Sequence, residues 1–404
     1  MRFVFLTLGY HPDLTGGAYR YVAEVAEGLA SRAHHVAVLC PNPGNGLEPC
    51  EVRAGVALHR FENHHGFFAL NWLRETASAA RLAREIERKS RPDFWVLCHA
   101  YLAPVVAARS AQTVVLFTGP WAEEYRFARE STTRPAWRRL CDTGIGAVLR
   151  HVERRGLSRA ARILTISEYY VAQLPIWHPV RLPSVRMISG GVDAQRFQPA
   201  SNRLALRHDL GLGPDQFLFL TVRRLDPRMG LLTLIDAFAQ VAAEHPQAQL
   251  WLAGTGPQQA AIEARISSHS LGGRIRLLGR VPEPDLPALY AAADCAVMPS
   301  LDLEGFGLAT VEALACGTPV LGSDAGATPE LVSPLSPGLL FRPGSDRALA
   351  DKLRAVLRGE LALPGRGACS AYARERFRWE AVVAAFEQTA AELSGPQSPR
   401  TRPE

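Results

Sequence analysis

A two-domain α/β fold is predicted by three features of this sequence. Short, strongly hydrophobic runs rich in β-branched and aromatic residues alternate with longer helical patterns, and this rhythm restarts after an irregular stretch over residues 192–206. The third is length: 404 residues, 47% of them hydrophobic, exceed what one compact core normally holds. Strands this apolar leave no polar face, so each domain is expected to carry a parallel sheet covered by helices on both sides.

The first set opens with "RFVFLTL" at residues 2–8, followed by a helical pattern over 19–31. "HVAVLC" (35–40) and "VALHRF" (56–61) come next, then a helical pattern over 72–89 and the strands "DFWVLC" (93–98), "TVVLFT" (113–118) and "RILTIS" (162–167). The second set begins with "FLFLTVRRL" (217–225) and a helix over 231–244. It continues through "AQLWLAG" (248–254), a helix over 258–270, "IRLLG" (275–279), "DCAVMPS" (294–300) and "TPVLGSD" (318–324). Domains over 1–192 and 193–378 are therefore expected. "ACSAYARERFRWEAVVAAFEQTAAEL" reads as two amphipathic helices interrupted near Arg378, and residues 395–404 have the composition of a disordered tail.

Charge excludes several functions. The net charge of +6 is mild for this length and predicts no nucleic-acid partner. Lysine occurs only at Lys89 and Lys352, and so lopsided an arginine content reads as a GC-rich genome rather than a binding surface. The opening "MRFVFLTLGYHPD" lacks a signal-peptide cleavage pattern, and no segment approaches 18 uninterrupted apolar residues. Seven scattered cysteines without CxxC spacing fit reduced core thiols, so a cytoplasmic location is expected. The doublets His34-His35 and His64-His65 lack metal-ligand spacing and read as loop residues; no metal site is expected. Apolar Trp137, Leu140, Cys141, Ile145, Val148, Leu149 and Val152 recur at helical spacing with Arg138, Arg139, Arg150, Arg154 and Arg155 around them. That pattern packs on its own domain or rests peripherally on the inner face of an anionic membrane.

The stretch "EGFGLATVEALACGTPV" (304–320) sets Glu304 and Glu312 eight residues apart. Val297 and Met298 end a strand, Gly305 and Gly307 permit close backbone approach, and a helix starts near Leu308. Ligands of open α/β sheets collect at such strand ends, where helix starts present unpaired N–H groups. Glu304 then lies in the loop and Glu312 one to two turns into the helix, at roughly 1.5 Å of rise per residue. The carboxylates suit sugar or ribose hydroxyls, and the N–H groups of Gly305, Phe306, Gly307 and Leu308 suit phosphate. A glycine-rich turn beside one solvated glutamate is the plainer alternative.

With its surroundings, "EGFGLATVEALACGTPVLGSDAGATPELV" resembles the nucleotide-sugar site of family 4 retaining glycosyltransferases. "GYHPDLTGGAYRYV", "VRRLDPRMGLLTLIDAF", "LAGTGP", "LYAAADCAVMPS" and "SGGVDAQRF" extend the resemblance over nearly the whole chain. It implies the GT-B fold: two Rossmann-like domains facing across a cleft, with a C-terminal helix (379–394) crossing back to the first. It also implies transfer of a sugar from a nucleotide-diphosphate sugar to an acceptor hydroxyl, with retention and without a metal or other cofactor. The acceptor it implies is a glycan, a lipid-linked molecule or a small molecule.

By the same resemblance Glu304 contacts a hydroxyl of the donor sugar and Glu312 the ribose. Arg224 neutralises the departing diphosphate, and Gly16 and Gly17 close over the phosphates from the first domain. Two positions depart from the family. Met229 stands where a lysine is usual, with Arg228 beside it as a substitute cation. Thr118 stands where many members have an acceptor-side histidine, and His99 at the end of another strand is a candidate for related space. These departures leave a second function class open, a degenerate relative that binds nucleotide or serves as a partner or scaffold protein.

Overall fold

The computed structural model describes residues 1–44, 46–62, 68–106, 112–130 and 136–395. The His64-His65 doublet and the expected tail beyond residue 395 lie outside the described residues. The chain divides into two compact units. One comprises Met1–Arg126, Arg134–Gly190 and the segment from Trp379 onward; the other comprises Gly191–Arg378 with Phe127–Thr133. Each is a Rossmann-like α/β domain.

The first unit is built on an eight-stranded sheet. Its strands in chain order are β1 (Arg2–Leu6), β2 (His35–Pro41), β3 (Cys50–Arg53), β4 (Val56–Phe61), β5 (Phe94–Leu97), β6 (Gln112–Phe117), β7 (Arg162–Thr165) and β8 (Val185–Met187). Their order across the sheet is β3-β4-β2-β1-β5-β6-β7-β8. The apolar β1 is central because both its faces and both its edges are covered, with Phe3 in register with Val36 on one side and Phe94 on the other. The expectation of a wholly parallel sheet needs correction at one edge. β3 pairs antiparallel with β4 through a turn at Ala54 and Gly55, whose φ angles of 48° and 80° give the twist a tight hairpin requires. As an edge strand β3 is half solvated, and its Val52 is exposed.

The second unit has a six-stranded, all-parallel sheet of β9 (Phe217–Val222), β10 (Ala248–Ala253), β11 (Ile275–Gly279), β12 (Cys295–Met298), β13 (Val320–Ser323) and β14 (Leu340–Phe341). Its order is β11-β10-β9-β12-β13-β14. The helix Leu231–Ala242 that follows β9 buries Leu231, Leu234, Ile235, Phe238 and Val241, a spacing that lays one apolar stripe against the core. Strand order reverses between β1 and β5 in one sheet and between β9 and β12 in the other. Such switch points open a crevice at the carboxyl ends of the strands.

The helix Trp379–Ser394 packs within the first unit, against the helix Gly17–Ser31. Gly28 makes the approach possible, since a Cβ there would lie 2.4 Å from a methyl of Val383. Trp379 meets Tyr21 edge-on at 5.5 Å, and Glu387 receives Arg32 at 2.6 Å and His34 at 2.8 Å. His34 is thus a docking contact for that helix rather than a plain loop residue, and His35 opens β2.

Five of the seven cysteines are buried; Cys50 and Cys141 are exposed, which corrects the expectation that all are core thiols. No described helix is long and apolar enough to cross a membrane. The basic amphipathic segment forms the helix Ala136–Ser158, which buries Leu149 and Leu157 and exposes Ile145 and Val148. The side chains of Trp137, Arg139 and Leu140 lie outside the described residues. Part of the arginine content is internal: Arg203 and Arg207 share Asp294, and Arg366 donates to the carbonyls of Ala291 and Ala293.

Candidate active site

The turn after β9 carries Arg223 and Arg224 at the switch point of the second sheet. Its backbone is pinned by the segment after β10. The Arg223 N–H donates to the Ala253 carbonyl at 2.9 Å, the Leu225 N–H to Thr255 at 3.0 Å, and the Gln258 N–H to Leu225 at 2.9 Å. Gly254, at φ 140°, allows this contact, because a Cβ there would sit 1.8 Å from the Arg223 carbonyl oxygen. The "LAGTGP" landmark is therefore a brace for the arginine-bearing turn.

Opposite, β12 ends at Met298 and the chain runs through Ser300 to Glu304. Leu303 adopts φ 56°, a conformation that costs a residue with a side chain roughly 1–3 kcal/mol and that clusters at functional sites. Its carbonyl accepts a 3.0 Å bond from Arg228 Nη1, and its N–H donates to Asp302 Oδ1 at 2.7 Å. The Glu304 carbonyl receives the Ala327 N–H at 2.9 Å. The loop that presents the Glu304 carboxylate is thereby fixed on several sides.

Arg223, which the sequence reading passed over for its neighbour, is the arginine that faces inward. With a side chain only 7% exposed, it donates Nη2 to Glu304 Oε2 and Nη1 to Ser300 Oγ at 2.7 Å. Ser300 Oγ in turn donates to Glu304 Oε2 at 2.8 Å. Burial pushes the Glu304 carboxyl up, but the Arg223 and Arg228 charges and the Ser300 hydroxyl outweigh it, so Glu304 ionises below the usual carboxylate range. Arg224 points away from this group: its side chain is 64% exposed and, among the described residues, is paired with Asp226 at 3.5 Å. Met229 is buried.

Glu312 lies on the helix Leu308–Ala315, buried, where it accepts a 3.1 Å bond from the Tyr290 hydroxyl. Tyr290 is a second residue the sequence reading missed. Gly307, at φ 97°, caps the start of that helix, and Leu308 is its first residue. Gly305 precedes Phe306, whose ring is turned inward and stands edge-on to Phe377 at 5.6 Å. Only the Phe306 backbone is thus placed to meet a ligand.

The first unit places its own candidates at the carboxyl ends of β1, β5 and β6. Gly16 is extended and precedes the helix that begins at Gly17. The loop leading to them is anchored by Asp13, which receives Arg53 at 3.0 Å and Arg60 at 2.6 Å. Thr118, after β6, donates to the Cys98 carbonyl at 3.3 Å, which sets it beside the strand end that carries His99. Burial lowers His99 to about 4, so its ring is neutral near pH 7. The helix Trp121–Glu130 after Thr118 has its first N–H held by the buried carboxylate of Glu153 at 3.0 Å, with His178 at 3.3 Å from the same carboxylate. Neither Glu153 nor His178 carries a sequence signal. Among the described residues, no group of three or more His, Cys, Asp or Glu side chains could hold a metal ion.

Residues 202–376 match the family model described as Glycosyl transferases group 1, and residues 16–191 match the Glycosyl transferase 4-like domain. A glycogen synthase of Mycobacterium tuberculosis (strain ATCC 25618 / H37Rv) is 28% identical over 423 aligned positions, covering 100% of this chain and 97% of the relative. The GDP-mannose-dependent monoacylated alpha-(1-6)-phosphatidylinositol monomannoside mannosyltransferase of Corynebacterium glutamicum is 32% identical over 207 residues. That match takes in 49% of this chain and spans about half, 54%, of the relative's length. In fold the chain is similar to the sucrose-phosphate synthase of Thermosynechococcus elongatus, with a TM-score of 0.84 at 24% identity over 97% of this chain and 99% of that one.

Proposed function

Because the chain belongs to the glycosyltransferases of group 1 and has their two-domain GT-B architecture, we propose that it moves a sugar from a nucleotide-diphosphate sugar to an acceptor hydroxyl. We propose further that it is of the retaining, family 4 kind and needs no metal. The observation that carries the reading is the Glu304 carboxylate at the switch point of the second sheet, bonded by Arg223 and Ser300, with Arg228 bonded to the Leu303 carbonyl just before it.

Breaking a glycosyl–phosphate bond builds negative charge on the departing diphosphate, so fixed cations and oriented N–H dipoles at that point lower the barrier. The solvent-facing Arg224 and the Arg228 guanidinium are the cations in this reading. The N–H groups of the segment Gly305–Leu308, at the start of the helix Leu308–Ala315, bind phosphate. Glu304 accepts a hydroxyl of the donor sugar, and Glu312, steadied by Tyr290, accepts from the ribose. Gly16 and Gly17 add phosphate contacts, while Thr118 and neutral His99 serve the acceptor. A glycan, lipid-linked or small-molecule acceptor fits. The relatives support the class of reaction: one is by name GDP-mannose-dependent, the other a glycogen synthase.

The test is a calorimetric screen of UDP-, GDP-, ADP- and TDP-sugars, followed by turnover of the donor that binds, in EDTA, with the product anomer read by NMR. Selective binding of one donor and an α-linked product from an α-linked donor are expected. Donor binding without turnover would instead assign a nucleotide-binding or scaffold role. Turnover that requires a metal would overturn the mechanism. Glu312→Ala is expected to weaken nucleotide binding about tenfold and Glu304→Ala mainly to slow turnover, since a hydrogen bond to a charged group is worth roughly 1.5–3 kcal/mol.

A further inference from the structure

Both hydrogen bonds that Glu304 receives from Arg223 and Ser300 end on the same oxygen, Oε2. Among the described residues Oε1 has no such bond, and the side chain keeps 14% of its surface open. An ionised carboxylate offers about four acceptor positions, and here those of one oxygen are engaged from within. We propose that Arg223, with Ser300, is the positioning residue of Glu304: it holds the carboxylate by Oε2 and leaves Oε1 as the oxygen presented to the donor sugar. This rests on the donor-side reading of Glu304 given above.

Three features favour orientation over mere stabilisation. A buried ion pair contributes little to stability, because desolvating two charges consumes most of their attraction. A planar guanidinium that bonds a carboxylate and a hydroxyl with separate nitrogens fixes direction as well as charge, which an ammonium point charge does not. Finally, the Arg223 backbone is itself pinned, by its bond to Ala253 and by the Gly254 contact. The side chain therefore starts from a fixed root. The charged groups that face Glu304 are Arg223 from the turn after β9 and Arg228 from the short turn Pro227–Met229; the segment packed across the loop contributes the backbone of Gly326 and Ala327. With Arg223 committed to Glu304, the diphosphate is left to the exposed Arg224 and to the charge of Arg228, whose guanidinium is already bonded to the Leu303 carbonyl.

The ligand-free test is a carboxyl titration of the full chain labelled with [δ-13C]glutamate, the Glu304 signal being identified by its loss in Glu304→Gln. In the unmodified protein Glu304 is expected to titrate below the usual carboxylate range. In Arg223→Ala burial is left with less to oppose it, and the midpoint is expected to rise by more than one pH unit. Ser300→Ala should raise it less, and Arg223→Lys should restore it only in part. The functional arm uses the donor found by calorimetry. Arg223→Ala should lower kcat at least tenfold with the affinity for the free nucleotide within about twofold, and the acid limb of kcat should move to higher pH. Should Arg223→Ala fail to fold, Ser300→Ala and Arg223→Lys carry the same two readouts. An unchanged Glu304 titration in the variants, or a kcat loss without movement of the acid limb, overturns the proposal. Full turnover in Glu304→Gln overturns the donor-side reading instead, and the titration still decides whether Arg223 governs the carboxylate.

Discussion

Arg228 does two things with one side chain. Its guanidinium bonds the carbonyl of Leu303, which offsets the unfavourable φ of 56° just before Glu304, and it adds a positive charge beside that carboxylate. Its neighbour Met229 is 8% exposed and belongs to the apolar interior. A lysine there would have to bury its ammonium or push its stem outward, so the loss of the usual cation is matched by a position that no longer suits one. Arg228→Ala is expected to reduce turnover about tenfold or more while weakening nucleotide binding less, since leaving-group charge grows toward the transition state. Met229→Lys is expected to lower the melting temperature without rescuing Arg228→Ala. Steady-state kinetics alongside thermal melts check both. Full activity in Arg228→Ala under conditions where Arg224→Ala is inactive would leave the leaving group to Arg224 alone.

At the scale of elements, the sequence reveals what burial dictates and conceals what side-chain direction decides. β9, β10, β12 and β13 are legible because buried parallel strands need unbroken apolar runs, and the helix Leu308–Ala315 because Gly307 marks its start. β3, β8 and β14 are short, and β3 and β8 are only partly buried, so their patterns do not stand out. The candidate site was half legible. The Glu304/Glu312 spacing and the arginine pair could be read directly, yet nothing in "VRRL" says which arginine turns inward, since successive residues of an extended chain point to opposite sides. Tyr290, Ser300 (through Arg223) and Glu153 act through contacts distant in sequence, which spacing cannot express. The brace formed by the segment after β10 makes a prediction of its own. Gly254→Ala places a methyl group against the Arg223 carbonyl at a φ of 140°, and a destabilisation of about 2–4 kcal/mol is expected. Denaturant unfolding of the variant measures it; a loss below about 0.5 kcal/mol would show that the turn gives way freely.

At the scale of the whole molecule, the second unit is nearly continuous in sequence, whereas the first is closed by the helix Trp379–Ser394. That helix buries Trp379, Val382, Val383, Phe386 and Ala390. Removing residues 379–404 is expected to cost the first unit its cooperative unfolding and leave the second unit's amide protection near that of the full chain. Hydrogen exchange resolved by segment checks this, and equal protection in the first unit of both forms would contradict it. The same arrangement bears on how the protein is made. On the ribosome the strands of the first unit emerge before the helix that seals it, and residues 191–378 of the second unit are translated between them. At about 5–20 residues per second, the nascent first unit waits on the order of ten seconds or more with Tyr21 and Phe5 uncovered, while the second unit can already be complete. Of the two units, the one begun earlier is closed only after the other has been translated, and for that interval its apolar surface under the helix Trp379–Ser394 is a site a holdase chaperone would be expected to cover.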